Sequence, residues 1–297
     1  MKTVKIKAYA KVNLTLEIVG QSGGYHLLDS LVASVDIFDV IVLKKRKDNL
    51  SSVVMKGLGS ESIPPEQNNA LKAAEAFSAK YGVGGADITV FKNIPMGAGL
   101  GGSSADASGV IAGMAKLYGV DDTDGLDELA NTLGSDVKYM LRGGFARMQG
   151  RGDIVENLPI NATLHFLMLL PKSGVSSGAC YREYDNNPTR ILQGATQNCI
   201  SALYKNDING VGRYLSNDLY PPSARLCKEV EKAYAEALNF SPLGAVMTGS
   251  GSAVLALFET KELCEWAQSR YKGKCKTAVV KTVLPKNDVQ LKNPFIL

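Results

Sequence analysis

The chain has 297 residues, of which 45% are hydrophobic and 21% charged, and its formal net charge is +4. These totals exclude a disordered or fibrous protein and allow a sizeable core, in one large domain or two of ordinary size. The small net charge does not favour nucleic acid as a partner, and no apolar stretch reaches the roughly 20 residues that a membrane span needs.

The cysteines, the histidines and the first residues bear on compartment and metals. Five cysteines are widely spaced without a CxxC pair, a pattern that favours reduced thiols over disulfides or zinc. Only two histidines occur, so a histidine-built metal site is not expected, and no residue is predicted to ligate a metal. The first residues alternate instead of forming a signal-peptide core, so we expect a cytoplasmic protein.

The N-terminal third predicts strands and one helix. Apolar residues alternate from Val4 to Ile18, which is typical of a strand, and this alternation places Lys11 and Asn13 together on the other face. Apolar runs bounded by turn residues or charges predict further strands at 31–43, 53–55 and 88–91. Helical spacing of apolar residues predicts a helix from Gln67 to Tyr81 that stops at Gly82.

Residues 93–109 read NIPMGAGLGGSSADASG, with four glycines in 97–102. The GxGxxG pattern can hold a dinucleotide, with Asp121 or Asp122 as the ribose-binding acid. The apolar residues before these two aspartates have helical spacing, however, so we expect the aspartates to cap helices. No βαβ unit is expected around the loop, and the lysine of a P-loop is absent. A structural turn needs only one or two glycines. The cluster therefore favours polyphosphate binding by backbone N–H groups at a helix N-terminus, with a structural turn as the alternative.

The remaining pattern predicts two domains. Three helices should follow the loop, from Ser103/Ser104 to Gly119, around 126–133, and from Ser135-Asp136 to Gly143. Strands are then predicted at 164–170, 244–247, 253–258 and 277–284, with helical and polar segments to about 240 and a helix at 261–271. This order predicts a split βαβ layer. With a boundary in the glycine-containing 150–160 segment, we expect an α+β fold with domains 1–157 and 158–297.

Three segments then resemble one known superfamily. Residues 95–105, PMGAGLGGSSA, resemble the P-x3-G-L-G-x-S-S-A signature of the GHMP kinases, which phosphorylate galactose, homoserine, mevalonate and related small molecules. AKVNL at 10–14 and MTGSGSA at 247–253 resemble its N-terminal and C-terminal motifs. The resemblance implies a two-domain GHMP-kinase-like fold with a mixed α/β N-terminal domain, a ferredoxin-like C-terminal domain and the active site between them.

Further motifs are similar to one group within that superfamily. KVNLTLEIVG at 11–20, GGYHLL at 23–28 and LGSDV at 133–137 resemble the kinases that phosphorylate a diphosphocytidyl alcohol in the non-mevalonate isoprenoid pathway. The resemblance implies that Asp136 orients the substrate hydroxyl and accepts its proton. Lys11 would steady that carboxylate and the transferring phosphoryl group. ATP is expected as its Mg²⁺ complex.

The resemblance also implies two sets of binding residues. The ATP phosphates should meet the loop residues Pro95, Met96, Gly97, Ala98, Gly99, Leu100, Gly101, Gly102, Ser103 and Ser104. The alcohol should meet Asn13, Tyr25, His26, Thr248, Gly249 and Ser250, with the Tyr25 ring stacking on a pyrimidine and His26 hydrogen-bonding it.

Each of these roles has a structural alternative. Lys11 can be a solvated strand lysine, Asp136 a helix cap, Tyr25-His26 a surface turn and 248–250 a glycine hairpin. A mevalonate- or homoserine-type kinase and a non-catalytic nucleotide-binding relative are the other functions considered, and the presence of both Lys11 and Asp136 speaks against the second. We expect a monomer or homodimer that binds a nucleotide-diphosphate alcohol and neither nucleic acid nor membrane.

Overall fold

The structure is a computed structural model that describes residues 2–57 and 68–285. Within these ranges the chain forms twelve strands and ten helices. The strands are β1 (Thr3–Asn13), β2 (Thr15–Ser22), β3 (Tyr25–Lys45), β4 (Ser52–Gly57), β5 (Ala86–Lys92), β6 (Phe145–Gly150), β7 (Ile154–Leu158), β8 (His165–Leu170), β9 (Ser216–Asn217), β10 (Gly244–Met247), β11 (Val254–Phe258) and β12 (Lys276–Lys281). The helices are α1 (Asn69–Tyr81), α2 (Gly102–Tyr118), α3 (Thr123–Leu133), α4 (Val137–Arg142), α5 (Ser177–Asn186), α6 (Ala195–Tyr204), α7 (Ile208–Tyr214), α8 (Tyr220–Leu226), α9 (Lys228–Leu238) and α10 (Lys261–Arg270).

The 21-residue strand β3 organises the first sheet. It pairs antiparallel with β1, β2, β5 and β6. The predicted single strand from Val4 to Ile18 is wrong, because the structure divides it at Leu14 into β1 and β2. The division arises because Leu14 donates its N–H to the Leu31 carbonyl, while the Asn13 N–H donates to the Thr248 side chain, 235 residues away.

The polar face of β1 and β2 is buried from Lys11 to Glu17, so the alternative of a solvated strand lysine at position 11 is wrong. Lys11 is 6% exposed and Glu17 only 4%. The Glu17 carboxylate accepts the N–H groups of Gly194 and Thr196 at 2.7 and 2.8 Å, so it caps the start of α6. A strand of the first sheet and a helix of the second half of the chain are thereby held together.

The second sheet has the order β10-β11-β8-β12, and every neighbouring pair is antiparallel. This order confirms the predicted split βαβ layer, and α9 and α10 pack on it. The chain passes from β7 in the first sheet to β8 in the second over residues 159–164, and the predicted second domain, from residue 158, would begin at the last residue of β7. Strand β9 belongs to the second half of the chain but joins the first sheet, because it pairs parallel with β2.

The segment before the glycine loop agrees with the sequence in the end of its helix and differs in its topology. Helix α1 ends at Gly82, which has φ +62°, as predicted, whereas its predicted start at Gln67 lies outside the described residues. A parallel crossover, β4-α1-β5, precedes the glycine loop, although no βαβ unit was expected there. After the loop the chain leads through three helices to β6, which pairs with β3 and not with β5.

The structure also bears on the predicted thiols and on the question of a membrane span. All five cysteines are free thiols, three of them buried. In the described ranges, no helix is long and apolar enough to cross a membrane.

Candidate active site

The glycine-rich loop, residues 95–101, lies between the other two motifs. Gly97, Gly99 and Gly101 all have positive φ, at +66°, +76° and +71°. The loop carbonyls face the protein, since Lys11 N donates to Leu100 O at 3.1 Å and Ala253 N to Ala98 O at 3.2 Å. The N–H groups of 97–101 meet no acceptor among the residues that the structure describes. Such a row of unpaired donors is suited to an anion.

Helix α2 begins directly after this row. Gly101 is its N-cap and provides no side-chain hydrogen bond, so the first-turn N–H groups add further unpaired donors and the positive end of the helix dipole. The loop and helix start enclose a pocket of about 150 Å³. Its lining includes the predicted residues from Pro95 through Ser103. Ser104 is not part of it, and its hydroxyl faces Gly134 instead.

A second cavity, of about 640 Å³, lies on the other side of Lys11. Lys11 Nζ lies 3.5 Å from Asp136 Oδ2 and 2.6 Å from Asn13 Oδ1, and all three residues line this cavity. Asp136 precedes α4 but makes no side-chain cap bond, so the capping alternative is not what the structure has. A cation and a carboxylate therefore meet at one wall, beside the glycine-rich loop.

Asn13 joins the three motifs through its side chain. Its Oδ1 also accepts the Gly249 N–H at 3.1 Å, and its Nδ2 donates to Ser30 at 2.8 Å. Thr248 is fully buried and contacts Asn13 and the Gly99 carbonyl instead of lining the cavity. A Cβ on Gly99 would lie 2.2 Å from the Thr248 carbonyl oxygen. Close packing of loop and turn thus requires glycine at this position.

Aromatic side chains also line the second cavity. Gly23 and Gly24, with φ +57° and +79°, form the two-residue turn of the β2–β3 hairpin and bring Tyr25 and His26 to the cavity. Tyr25 is 54% exposed, with the Arg151 guanidinium 3.9 Å from its ring centre. Gly249 and Ser250 also line this cavity.

The comparisons with known proteins agree with this geometry. Family models described as GHMP kinases N terminal domain and GHMP kinases C terminal match residues 68–146 and 199–275. A 4-diphosphocytidyl-2-C-methyl-D-erythritol kinase from Caldanaerobacter subterraneus subsp. tengcongensis is 35% identical over 274 residues, covering 91% of this chain and 93% of the relative. The chain belongs to the GHMP kinase family. Another kinase of the same name, from Syntrophomonas wolfei subsp. wolfei, is 33% identical and covers 91% of this chain and 94% of its own length.

Solved structures extend the likeness of this GHMP kinase to the fold. A crystal structure of 4-(cytidine 5'-diphospho)-2C-methyl-D-erythritol kinase has a TM-score of 0.75 at 28% identity, covering 93% of this chain and 99% of the other. A homoserine kinase from Cytophaga hutchinsonii has a TM-score of 0.74 at 20% identity, with 96% of each chain covered. The two-domain GHMP-kinase-like fold is therefore confirmed.

A buried ionic triad that no sequence motif indicated lies at the first pocket. Lys92 Nζ contacts Asp39 Oδ2 and lies 2.7 Å from Asp106 Oδ2. Asp106 Oδ1 is buried without a hydrogen-bond partner in the described chain, and both Lys92 and Asp106 line the pocket. Asp106 lies in the glycine-rich segment 93–109, but nothing in the spacing of that segment indicates that Asp106 would contact Lys92 or Asp39.

Burial dominates the electrostatics of this triad. It raises the pKa of Asp106 to about 8, with repulsion from Asp39 adding to the effect and Lys92 opposing it. The pKa of Lys92 is raised as well, because the two carboxylates outweigh its own desolvation. Burial in the triad thus disfavours the ionised form of Asp106, while the neighbouring carboxylates favour the charged form of Lys92.

Asp106→Asn tests this balance. A carboxyl whose pKa is raised on folding binds more protons in the native state, so it lowers the free energy of unfolding as pH rises from about 4 to about 8. The amide of the variant does not titrate, so the variant lacks this pH-dependent loss of stability, and it keeps the Lys92–Asp39 pair. We expect its free energy of unfolding, relative to the unmutated chain, to increase between pH 5 and pH 8 in urea titrations. A difference that stays constant over that range would contradict the assignment.

Proposed function

We propose that this kinase uses ATP to phosphorylate a hydroxyl of 4-diphosphocytidyl-2-C-methyl-D-erythritol, in the non-mevalonate isoprenoid pathway. The observation that carries the proposal is the second cavity. It is lined by Lys11 and Asp136, next to the glycine-rich loop, and by the aromatic side chains of Tyr25 and His26. A diphosphocytidyl alcohol has the matching parts, a base at one end and a hydroxyl at the other. The names of the similar kinases support the same substrate.

The loop and helix α2 would hold the ATP phosphates. Unpaired N–H groups of residues 97–101 and the α2 N-terminus supply fixed donors that need no reorganisation during transfer. Pro95 through Ser103 line this pocket. The γ-phosphoryl group would then lie toward Lys11, whose stem packs against Gly101.

Asp136 would accept a hydrogen bond from the substrate hydroxyl and take its proton as the new phosphate ester bond forms. The Lys11 ammonium group, 3.5 Å from the carboxylate, would offset charge on the transferring group. The bond from the γ-phosphorus to the bridging oxygen breaks, and ADP leaves with that electron pair. Because the transition state is loose, positioning and charge neutralisation supply most of the catalysis.

Mg²⁺ fits only as an ion that enters with ATP. Among the described residues no group of three or more His, Cys, Asp or Glu side chains could hold a metal ion. The first pocket offers the Ser103 hydroxyl and the unpartnered Oδ1 of Asp106 as oxygen donors. Mg²⁺ commonly takes one or two protein ligands and completes its shell with phosphates and water. When bound, it neutralises phosphate charge.

Asp136→Asn separates chemistry from binding. The amide keeps the shape but cannot take a proton, so we expect kcat to fall by about 10² to 10⁴-fold. ATP affinity, measured by equilibrium binding, should change little, because the glycine-rich loop is intact. Asp121→Asn, at an exposed site before α3, is the matched control and should keep full turnover. A variant at position 136 that retains most of its kcat would remove Asp136 from the mechanism.

The substrate itself is tested by ADP release with a panel of alcohols. We expect 4-diphosphocytidyl-2-C-methyl-D-erythritol to give a higher kcat/KM than mevalonate, homoserine or galactose. A preference for one of these small alcohols would assign the chain to another GHMP kinase activity. ATP binding without ADP release for any of them would favour a non-catalytic nucleotide-binding protein.

A further inference from the structure

The His26 ring is held on several sides by groups that the proposed chemistry does not use. It stacks on Tyr181 with ring centres 4.7 Å apart and planes inclined by 25°, and it meets the edge of Tyr184 at 6.0 Å. Its Nε2 lies 2.7 Å from Asp185 Oδ1. Tyr181 and Asp185 stand four residues apart on α5 and therefore face the same side of that helix. The ring can neither rotate nor tilt freely.

The hydrogen-bond network decides which ring nitrogen carries the proton. Gln21 Nε2 lies 2.8 Å from Asp185 Oδ1 and 3.0 Å from His26 Nε2. A carboxylate only accepts hydrogen bonds, so the Gln21 amide and the His26 ring both donate to Asp185. The proton of a neutral His26 is accordingly on Nε2, which leaves Nδ1 as an acceptor.

Nδ1 is available to a ligand. Among the described residues it has no hydrogen-bond partner, and the buried unpartnered side-chain atoms there are Asp106 Oδ1, His165 Nδ1 and Ser216 Oγ. The free Nδ1 of His26 is therefore not fully buried, and His26 lines the second cavity. A single unprotonated nitrogen on a fixed ring pairs with an amino group and repels a carbonyl oxygen.

We propose that Asp185 is a positioning residue for base specificity: it holds the His26 ring with Nδ1 as an acceptor, and this favours a base that carries an amino group over one that carries a carbonyl oxygen at the same place. The proposal rests on the proposed function. Cytosine has the amino group and uracil the carbonyl oxygen, so Asp185 selects a diphosphocytidyl alcohol against its diphosphouridyl analogue. A site with a fixed acceptor leaves that group unpaired when the wrong base binds.

Asp185→Ala tests the effect on specificity. We expect KM for the diphosphocytidyl alcohol to rise about tenfold or more, with kcat changed little, because Asp185 has no contact with Lys11 or Asp136. The ratio of kcat/KM for the cytidine and uridine substrates should fall by about tenfold, which corresponds to roughly 1.4 kcal/mol. Asp185→Asn, which keeps an acceptor oxygen, should restore part of the ratio.

Glu183→Ala is the matched control. Glu183 is on the same helix but pairs with Arg225, so its loss can weaken α5 without touching His26. We expect the ratio of the two substrates to stay unchanged in this variant. A ratio that is unchanged in Asp185→Ala, or one that falls equally in both variants, would overturn the proposal.

The tautomer is read without any substrate by ¹⁵N–¹H long-range correlation spectra of the intact chain. Only His26 and His165 occur, so a His165→Gln variant assigns the signals. In spectra of the neutral ring we expect the His26 proton on Nε2. A neutral ring with its proton on Nδ1 would overturn the proposal even if the substrate panel succeeds. If no nucleotide alcohol is phosphorylated, the proposed function fails. The spectra still decide in that case whether Asp185 holds His26 with Nδ1 as an acceptor.

Discussion

The Asn13 side chain is the contact on which the rest of the site depends. Its Oδ1 accepts hydrogen bonds from Lys11 and Gly249, and its Nδ2 donates to Ser30. Its backbone N–H is bonded to Thr248, 235 residues away. One amide therefore sets the position of the cation, the C-terminal turn and the neighbouring strand. Because Asn13, Lys11, Ser30 and Thr248 are all buried, an unmade bond at any of them would carry a desolvation cost.

Two pockets with different chemistry meet where this contact lies. On one side the glycine-rich loop presents unpaired N–H groups, and its carbonyls are bonded to Lys11 and Ala253. On the other side Lys11 and Asp136 open into the larger cavity. The Lys11 stem lies against Gly101, where an added Cβ would be 3.2 Å from Lys11 Cγ. Lys11 thus contacts the glycine-rich loop through its stem and faces the larger cavity with its ammonium group, as the proposed transfer requires.

The local spacing of residues in the sequence predicted most strands, helices and motifs, but it did not predict which distant residues pack against them. Alternation correctly placed Lys11 and Asn13 on one face of a strand. It could not show the break at Leu14, because Asn13 is bonded to Thr248 from the far end of the chain. It could not show that the polar face is buried, because Gly194 and Thr196 cover Glu17 through tertiary contacts alone.

The same limit explains the residues that were missed. Asp39 and Asp106 meet at Lys92 only after β3, β5 and α2 have packed together. The spacing of Tyr181 and Asp185 shows that they share a helix face, yet their partner His26 is 159 residues from Asp185. Pairings over such distances leave no periodic signal in a single sequence. The motif residues were found because their spacing is local.

A double-mutant cycle on Asn13→Ala and Ser30→Ala, read as the free energy of unfolding in urea, tests this dependence most directly. The two substitutions remove the two ends of the hydrogen bond from Asn13 Nδ2 to Ser30 Oγ and keep the backbone N–H of residue 13. If the Asn13 and Ser30 side chains act as one unit, the second substitution costs little after the first, with a coupling energy on the order of 1 kcal/mol or more. Effects that add to within about 0.3 kcal/mol would contradict the account, because independent sites behave in that way.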